Sequence, residues 1–304
     1  MKETILKTIN LTKKYKDFKA LDEVNIKIEK GDIYGLIGRN GAGKTTLMKI
    51  ISTLSKKTSG GFELFSENDE NLTENKERIG CLIENPSFFP NLTAYENLKY
   101  YAIQKGIINL KQIEEALKLV GLLEAKNKKF KNFSLGMKQR LGIAFAILDN
   151  PDFIILDEPI NGLDPIGISD LRETFKRLNE EKNITILISS HILSELYAVA
   201  TRFCILEQGR VVKELTKEEL DKECSKCIVI QTDDVKKAST VLEKELKTEN
   251  FKVIDKREIR LYEQLEHIDK ISKALVKNDI NILGLYETGI TLEEYFKTVI
   301  KEEK

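Results

Sequence analysis

Two hydrophobic periods alternate along the chain, and the points where one gives way to the other mark out its elements. Up to about residue 34, ILKTINLTKKY and ALDEVNIKIEKGDIYGLIG read as short strands; Val24, Ile26 and Ile28 alternate as in a half-buried strand, and Lys30-Gly31-Asp32 marks a turn. DIYGLIG is a buried strand running into a glycine-rich turn, and from Lys44 to about Leu54 the spacing of Leu47, Met48, Ile50 and Ile51 is helical. A polar stretch, Ser55 to Lys76, follows. Residues 91–131 are mainly helical, with Thr93 and Glu96 spaced as a capping box that starts a helix at Ala94. Another helix follows FSLGMKQR through LGIAFAIL. FIILDEP and ITILISSH are apolar strands, Asp164-Pro165 is an N-cap with proline at the first helical position, and FCILEQGRVVKEL is a hairpin turning near Gln208-Gly209. Strands alternating with helices predict a parallel α/β sheet, with antiparallel strands added at its start.

The texture changes after Leu215. Thr216 and Glu219 form a second capping box that opens a short charged linker helix. Strand CIVIQT, helix DVKKASTVLEKELK, strands FKVID and EIRLYE, helix LEHIDKISKALVKN and strand INILGLYE then follow. This β-α-β-β-α-β order is that of a ferredoxin-like unit, closed by an amphipathic helix from the capping box Thr291 to Glu294. No internal repeat or low-complexity tract is evident.

The length of 304 residues fits one large and one small domain, or two comparable ones. With 41% hydrophobic residues the chain has enough apolar material for a core and is not disordered. Its 49 basic residues balance 49 acidic ones, which argues against a nucleic-acid binder working by bulk attraction. The start, MKETILKTINLTKKYK, lacks the continuous apolar region of a signal peptide, and runs such as Leu141 to Leu148 fall far short of a membrane span. Cys81, Cys204, Cys224 and Cys227 are too few and scattered for a disulfide scaffold, so a reduced cytoplasmic protein is expected.

Candidate chemistry begins at Gly38-Arg39-Asn40-Gly41-Ala42-Gly43-Lys44-Thr45, a full match to G-x-x-x-x-G-K-[ST] between a buried strand and a helix. Its glycines permit left-handed dihedrals, so that successive N–H groups form an anion nest, and the helix beginning near Gly43 adds its positive end. Lys44 then supplies charge to β- and γ-phosphates, and the Thr45 hydroxyl is a magnesium ligand. Asp157-Glu158 ends an apolar strand with two carboxylates, an arrangement that is costly unless a metal is present. Asp157 fits a role holding magnesium through water, and Glu158 one orienting or deprotonating an attacking water. Ser134-Leu135-Gly136-Met137-Lys138-Gln139 offers a second, separate phosphate-binding helix end. Alone it would be a plain N-cap, but it stands ahead of DEP with NGLDP after.

With these motifs in this order, the chain resembles the ATP-binding cassette (ABC) ATPases from residue 1 to about 215. The resemblance implies an ABC-type P-loop NTPase fold: a parallel core sheet, an added antiparallel β subdomain and a helical subdomain at about 86–148. Residues 216–304 then form the small α+β accessory domain. It further implies ATP and Mg2+ as ligands, a phosphate loop from Gly38 to Thr46, and a signature from Ser134 to Gln139. In the same way Asp164 in NGLD is similar to the loop that communicates between subunits. His191 after ILISS is similar to the switch histidine at the γ-phosphate. Tyr15 stands about where the family's adenine-stacking aromatic does, although an ordinary strand aromatic is also consistent with it.

By the same resemblance two copies dimerise head to tail around two ATPs, with Ser134 and Gly136 of one facing the ATP of the other. The partners implied are a second copy and a separate integral membrane permease, docking near Glu84–Tyr100 with its aromatics Phe88, Phe89 and Tyr95. The subunit is then peripheral on the inner face of the membrane, with no nucleic-acid partner. Two departures point to a subfamily. Glu84 stands where most members have Gln, and Leu135 occupies a glycine position of the signature. Both resemble bacterial exporters that give self-protection against bacitracin and lantibiotic-type peptides. A glutamate there is an anion that can ligate magnesium but cannot donate a hydrogen bond while ionised.

Other signals read blandly. Cys224-x-x-Cys227 lacks a second pair and reads as incidental thiols, Lys126 to Lys131 (KNKKFK) as a solvated loop, and His267 as a residue with no assigned role. A ribosome- or DNA-acting ABC protein is the competing class; one phosphate loop and no sustained heptads argue against it. A tail that senses a ligand and gates the ATPase is compatible with transport.

Overall fold

The computed structural model describes residues 2–69, 75–84 and 87–301. The chain divides into two units, one of residues 1–217 with 299–304 and the other Glu218–Thr298. At the start, β2 (Phe18–Val24) and β3 (Lys27–Glu29) pair antiparallel in succession with β1 (Thr4–Tyr15). β4 (Ile33–Ile37) then enters a different sheet and leads into α1 (Lys44–Ile51), before β5 (Ser59–Leu64) and β6 (Glu67–Asn68) return to the first. Val24, Ile26 and Ile28 are all buried, but no single strand carries them. The backbone breaks at Asn25, whose Oδ1 accepts from the Asn10 N–H at 2.8 Å, while Thr8 Oγ1 accepts from the Ile26 N–H. The segment read only as polar therefore holds two strands, and its residues 70–74 lie outside the described ones. Its strand character is hidden by Gly60, at φ +72°, where a Cβ would overlap the Asn10 carbonyl of β1.

The second sheet has six strands: β4, β7 (Ile79–Leu82), β8 (Phe153–Leu156), β9 (Thr185–Ser190), β10 (Arg202–Glu207) and β11 (Arg210–Thr216). Their spatial order is β11-β10-β4-β9-β8-β7, parallel throughout except for the β10-β11 hairpin. β4, β8 and β9 are buried at every position, as expected where helices cover both faces of a parallel sheet. Leu47, Met48, Ile50 and Ile51 of α1 join Tyr34, Leu36, Phe153, Ile155 and Leu187 in one core.

Between β7 and β8 lie α2 (Ala94–Gln104), α3 (Lys111–Leu119) and α4 (Leu135–Ala146), and α5 (Pro165–Lys182) and α6 (Leu193–Tyr197) follow later. Side chains fix three of these starts. Thr93 and Glu96 make both bonds of a capping box, Ser134 caps α4 through the Met137 N–H, and Asp164 caps α5 through the Gly167 N–H with Pro165 at the first position.

The smaller unit follows α7 (Lys217–Cys224) with β12 (Cys227–Thr232), α8 (Val235–Lys244), β13 (Phe251–Val253), β14 (Glu258–Leu261), α9 (Ile268–Lys277), β15 (Ile282–Thr288) and α10 (Leu292–Lys301). Its four strands are antiparallel in the order β13-β14-β12-β15. Ala238 and Leu242 of α8 and Ile271 and Leu275 of α9 pack with Ile228, Ile230, Ile259 and Leu261 of the sheet in a separate core.

Candidate functional site

Parallel strands that are neighbours end side by side, and four such ends carry the candidate residues. The Ile37↔Ser190 and Leu156↔Ile188 registers bring the ends of β4, β9 and β8 level, so Gly38, Asp157-Glu158 and His191 emerge together. β7 ends beside β8, where the Asp157 N–H donates to the Leu82 carbonyl at 2.9 Å. The carboxyl edge of such a sheet is where open α/β proteins place their ligands.

The loop from Gly38 enters α1 through Gly43 at φ +110°, where a Cβ would meet the Ala20 carbonyl. No side chain caps the first turn of α1 and it holds no acidic residue, so its amides are left for an anion. Lys44 is buried, and its Nζ donates to the Gly38 carbonyl at 2.7 Å and the Arg39 carbonyl at 3.3 Å. Arg39, Asn40, Gly41, Gly43, Lys44, Thr45 and Thr46 line a cavity of about 310 Å³, together with Glu158, Tyr15, Phe18 and Ala20. Ala42 is buried and lines no part of it. Tyr15 is half exposed, with Lys13 Nζ 4.7 Å from its ring centre, and Phe18 is more exposed still. Phe18 was not anticipated; the β1-β2 pairing Tyr15↔Phe18 sets both rings at one wall, a relation that no motif encodes.

Asp157 and Glu158 are held by different partners. Thr45 Oγ1 donates to Asp157 Oδ2 at 2.7 Å, and Ser189 Oγ donates to Asp157 Oδ1 at 2.6 Å. Ser189 also accepts from the Glu158 N–H at 2.8 Å, so this buried hydroxyl fixes both carboxylate residues. Glu158, at φ +48°, places Oε1 3.1 Å from Lys44 Nζ and Oε2 2.8 Å from His191 Nδ1. Its Oε1 is buried and makes no hydrogen bond of good geometry, leaving Lys44 as its counter-charge. An orphaned carboxylate oxygen beside a lysine and two oxygen-bearing side chains suits a hard, oxygen-seeking cation and a phosphate. Thr45 and Asp157 are the residues that fit magnesium.

Glu84 lies at the same edge but points to a different partner. Its carboxylate is ion-paired with Lys49, which raises the lysine's pKa through the hydrogen bond. Neither sequence motif includes Lys49. Beyond it the predicted aromatic surface divides. Phe88 is buried, tilted or edge-on to Tyr101, Phe130 and Phe145, so it belongs to the core of the helical segment and not to a surface. Tyr95 is half-buried, whereas Phe89 and Tyr100 form an exposed edge-on pair with ring centres 4.9 Å apart.

Ser134 and Gly136 are not on the walls of the phosphate-loop cavity. They open α4 beside the loop before α5: the nearest atoms to a Cβ on Gly136 would be Gly167 Cα and Leu163 Cδ2, each at 3.8 Å, and Leu135 Cδ2 lies by Gly162. Leu135 is nearly half exposed, and Asp164 is exposed where it caps α5. The signature and Asp164 thus share one outward face.

Burial pushes the Cys81 and Cys204 thiols up to about 12, and those of Cys224 and Cys227 upward, away from the range of reactive thiolates. Among the described residues no group of three or more His, Cys, Asp and Glu forms a metal cluster, and no helix is long and apolar enough to cross a membrane. In the basic loop, Lys126 pairs with Glu114 at 2.7 Å and Lys131 donates to Asn91.

Residues 21–161 match the profile of the ABC transporter family. The bacitracin transport ATP-binding protein BcrA of Bacillus licheniformis is 44% identical over 298 residues, covering 98% of this chain and 97% of BcrA. The lantibiotic transport ATP-binding protein SrtF of Streptococcus pyogenes is 44% identical over 210 residues, covering 69% of this chain and 90% of SrtF. The dimeric post-hydrolysis structure of the ATP-binding cassette MJ0796, bound to ADP and Pi, superposes with a TM-score of 0.62 at 30% identity, covering 70% of this chain and 99% of that one.

Proposed function

The chain belongs to the ABC transporter family as an ATP-binding ATPase subunit, and from that premise we propose that it drives a separate membrane permease by closing, with a second copy, around two ATPs. The cargo we assign is an antimicrobial peptide of the bacitracin or lantibiotic type, in keeping with the names of the relatives and with Glu84 and Leu135. Localisation follows: peripheral on the inner face of the membrane, through the permease. We read the small unit as a ferredoxin-like accessory domain on its element and strand order.

The carrying observation is the separation of two half-sites. One sets Lys44, Thr45 and Glu158 on a cavity wall, with Asp157 bonded to Thr45 and His191 to Glu158, and the other, Ser134 with Gly136, neither lines that cavity nor bonds to a residue that does. In our reading the triphosphate enters the amide nest, Tyr15 faces the base, and Lys44 leaves Glu158 for the β- and γ-phosphates. Thr45 and Asp157 hold Mg2+, which when bound offsets phosphate charge, and Ser189 keeps Asp157 turned toward it. Glu158, released from Lys44 and still held at Oε2 by His191, accepts a proton from water as that water's oxygen bonds to the γ-phosphorus and the β–γ bridging bond breaks. Ser134 and Gly136 of the partner copy cover the far side of the phosphate, and Asp164 lies at the seam. Only ATP favours the closed pair, so hydrolysis reopens it. Exposed Phe89 and Tyr100 are the permease contact that we retain from the Glu84–Tyr100 segment.

The test is Glu158→Gln in the purified chain, followed by light scattering with and without ATP. An ATP-dependent dimer with hydrolysis suppressed supports the reading. A strict monomer with brisk turnover overturns it.

A further inference from the structure

None of the proposed steps uses the Lys49–Glu84 contact, yet it ties the phosphate-binding helix to the end of a neighbouring strand. Lys49 stands four residues after Thr45 on α1, so the two share one helix face a turn apart. Glu84 is the second residue beyond β7, whose Leu82 carbonyl accepts from the Asp157 N–H. The acid is 66% exposed on its side chain and the lysine 35%, so solvation alone would leave Glu84 free to turn outward. Its carboxylate is turned to Lys49 instead, from a backbone at φ +65° that non-glycine residues rarely adopt.

We infer that Lys49 is the positioning residue for Glu84: in the nucleotide-free chain it holds that carboxylate against α1, one turn from Thr45, and a nucleotide–magnesium complex at Thr45 and Asp157 competes with it for the same carboxylate. The pair thereby makes the way Glu84 is held depend on whether the pocket is occupied. This rests on the nucleotide reading of the pocket. An exposed pair shifts populations by no more than about fivefold, which suits a contact that must exchange partners. The acid strengthens both contacts: a glutamine at 84 keeps an acceptor oxygen but lacks the charge that pairs with Lys49.

Hydrogen exchange of the full chain tests it at the amides around Leu82–Glu84. Lys49→Ala, Lys49→Met and Glu84→Gln should each speed exchange there by about three- to fivefold without nucleotide. Lys49→Arg should match the parent, and Lys49→Ala with Glu84→Gln should add nothing to either alone. Adding ADP with Mg2+ should change exchange at these amides in the parent, and in the Lys49→Ala chain, where nothing competes for Glu84, it should slow exchange at least as much. Parent-like exchange in Lys49→Ala and Lys49→Met, additive single effects, no slowing by ADP with Mg2+ in Lys49→Ala, or no response in the parent each overturns the assignment. Acceleration spread over all of α1 and β7 marks a merely structural role and overturns it as well. Binding of a fluorescent ATP analogue to the same preparations, with Lys44→Ala as the control, reports separately on the pocket reading.

Discussion

The two candidate phosphate-binding ends of this molecule are built in opposite ways. At the phosphate loop the side chains engage one another: Lys44 ion-pairs with Glu158, whose Oε1 otherwise has no partner among the described residues, and Glu158 bonds His191, Thr45 bonds Asp157, and Asp157 bonds Ser189. At the signature, Ser134 spends its hydroxyl on capping α4, Leu135 is half exposed, and the neighbours of Gly136 belong to the first turn of α5 and the loop before it. The first end is a closed network that a ligand must open, and the second is an open face. Such a difference fits the proposed site divided between two copies, because one half is a self-contained network and the other presents an open face.

Each end is therefore expected to fail in its own way when altered. Lys44→Ala removes the buried charge and leaves Glu158 uncompensated; ATP affinity should fall by a hundredfold or more, about 3 kcal/mol, by equilibrium fluorescence titration. Binding kept within tenfold would place the phosphates elsewhere. Glu158→Gln should lower kcat by about 100-fold or more while ATP affinity changes little. If turnover stays near normal, the carboxylate is not the base. Ser189→Ala leaves Asp157 with one hydroxyl partner fewer, and kcat should drop by roughly tenfold, with the apparent Mg2+ requirement rising. A loss of melting temperature with unchanged Mg2+ dependence would make Ser189 only structural. Ser134→Ala should cost about tenfold in the hydrolysis of concentrated, dimerising protein and nothing in the nucleotide affinity of dilute protein. Equal losses in both would erase the distinction between the ends.

The smallest effect concerns a helix start that neither end uses. Glu96 has its carboxyl pKa lowered from 4.5 by the Thr93 backbone N–H and hydroxyl of its capping box. Lowered in the fold, it contributes stability that is present above its unfolded pKa and lost as pH falls through the folded value. The start of α2 should therefore loosen only below about pH 4.5. Helix exchange unchanged across that range would remove the box from the account.

Much of this layout is legible from short stretches of chain. The phosphate loop is readable because its geometry is local: Gly43 alone permits the turn at φ +110° into α1, and Lys44 and Thr45 follow by covalent necessity. The starts at Thr93, Ser134 and Asp164 are readable for the same reason, since a cap reaches only three residues. What the sequence hid needed partners far away along the chain. Gly60 weakens the strand signal of β5, and its reason lies in Asn10; Phe88 reads as a surface aromatic until Phe130 and Phe145 close over it.

By itself, then, the order of residues determined the identity of the candidate phosphate-binding groups and the elements that carry them. Tertiary structure alone decided which of those groups are paired: that Ser189 holds both Asp157 and the Glu158 amide, and that Lys49 turns Glu84 toward α1. Backbone turns and caps are settled by neighbours within a few residues. A side-chain partner 30 or more residues distant is settled only when adjacent strands end at the same level and bring the two together.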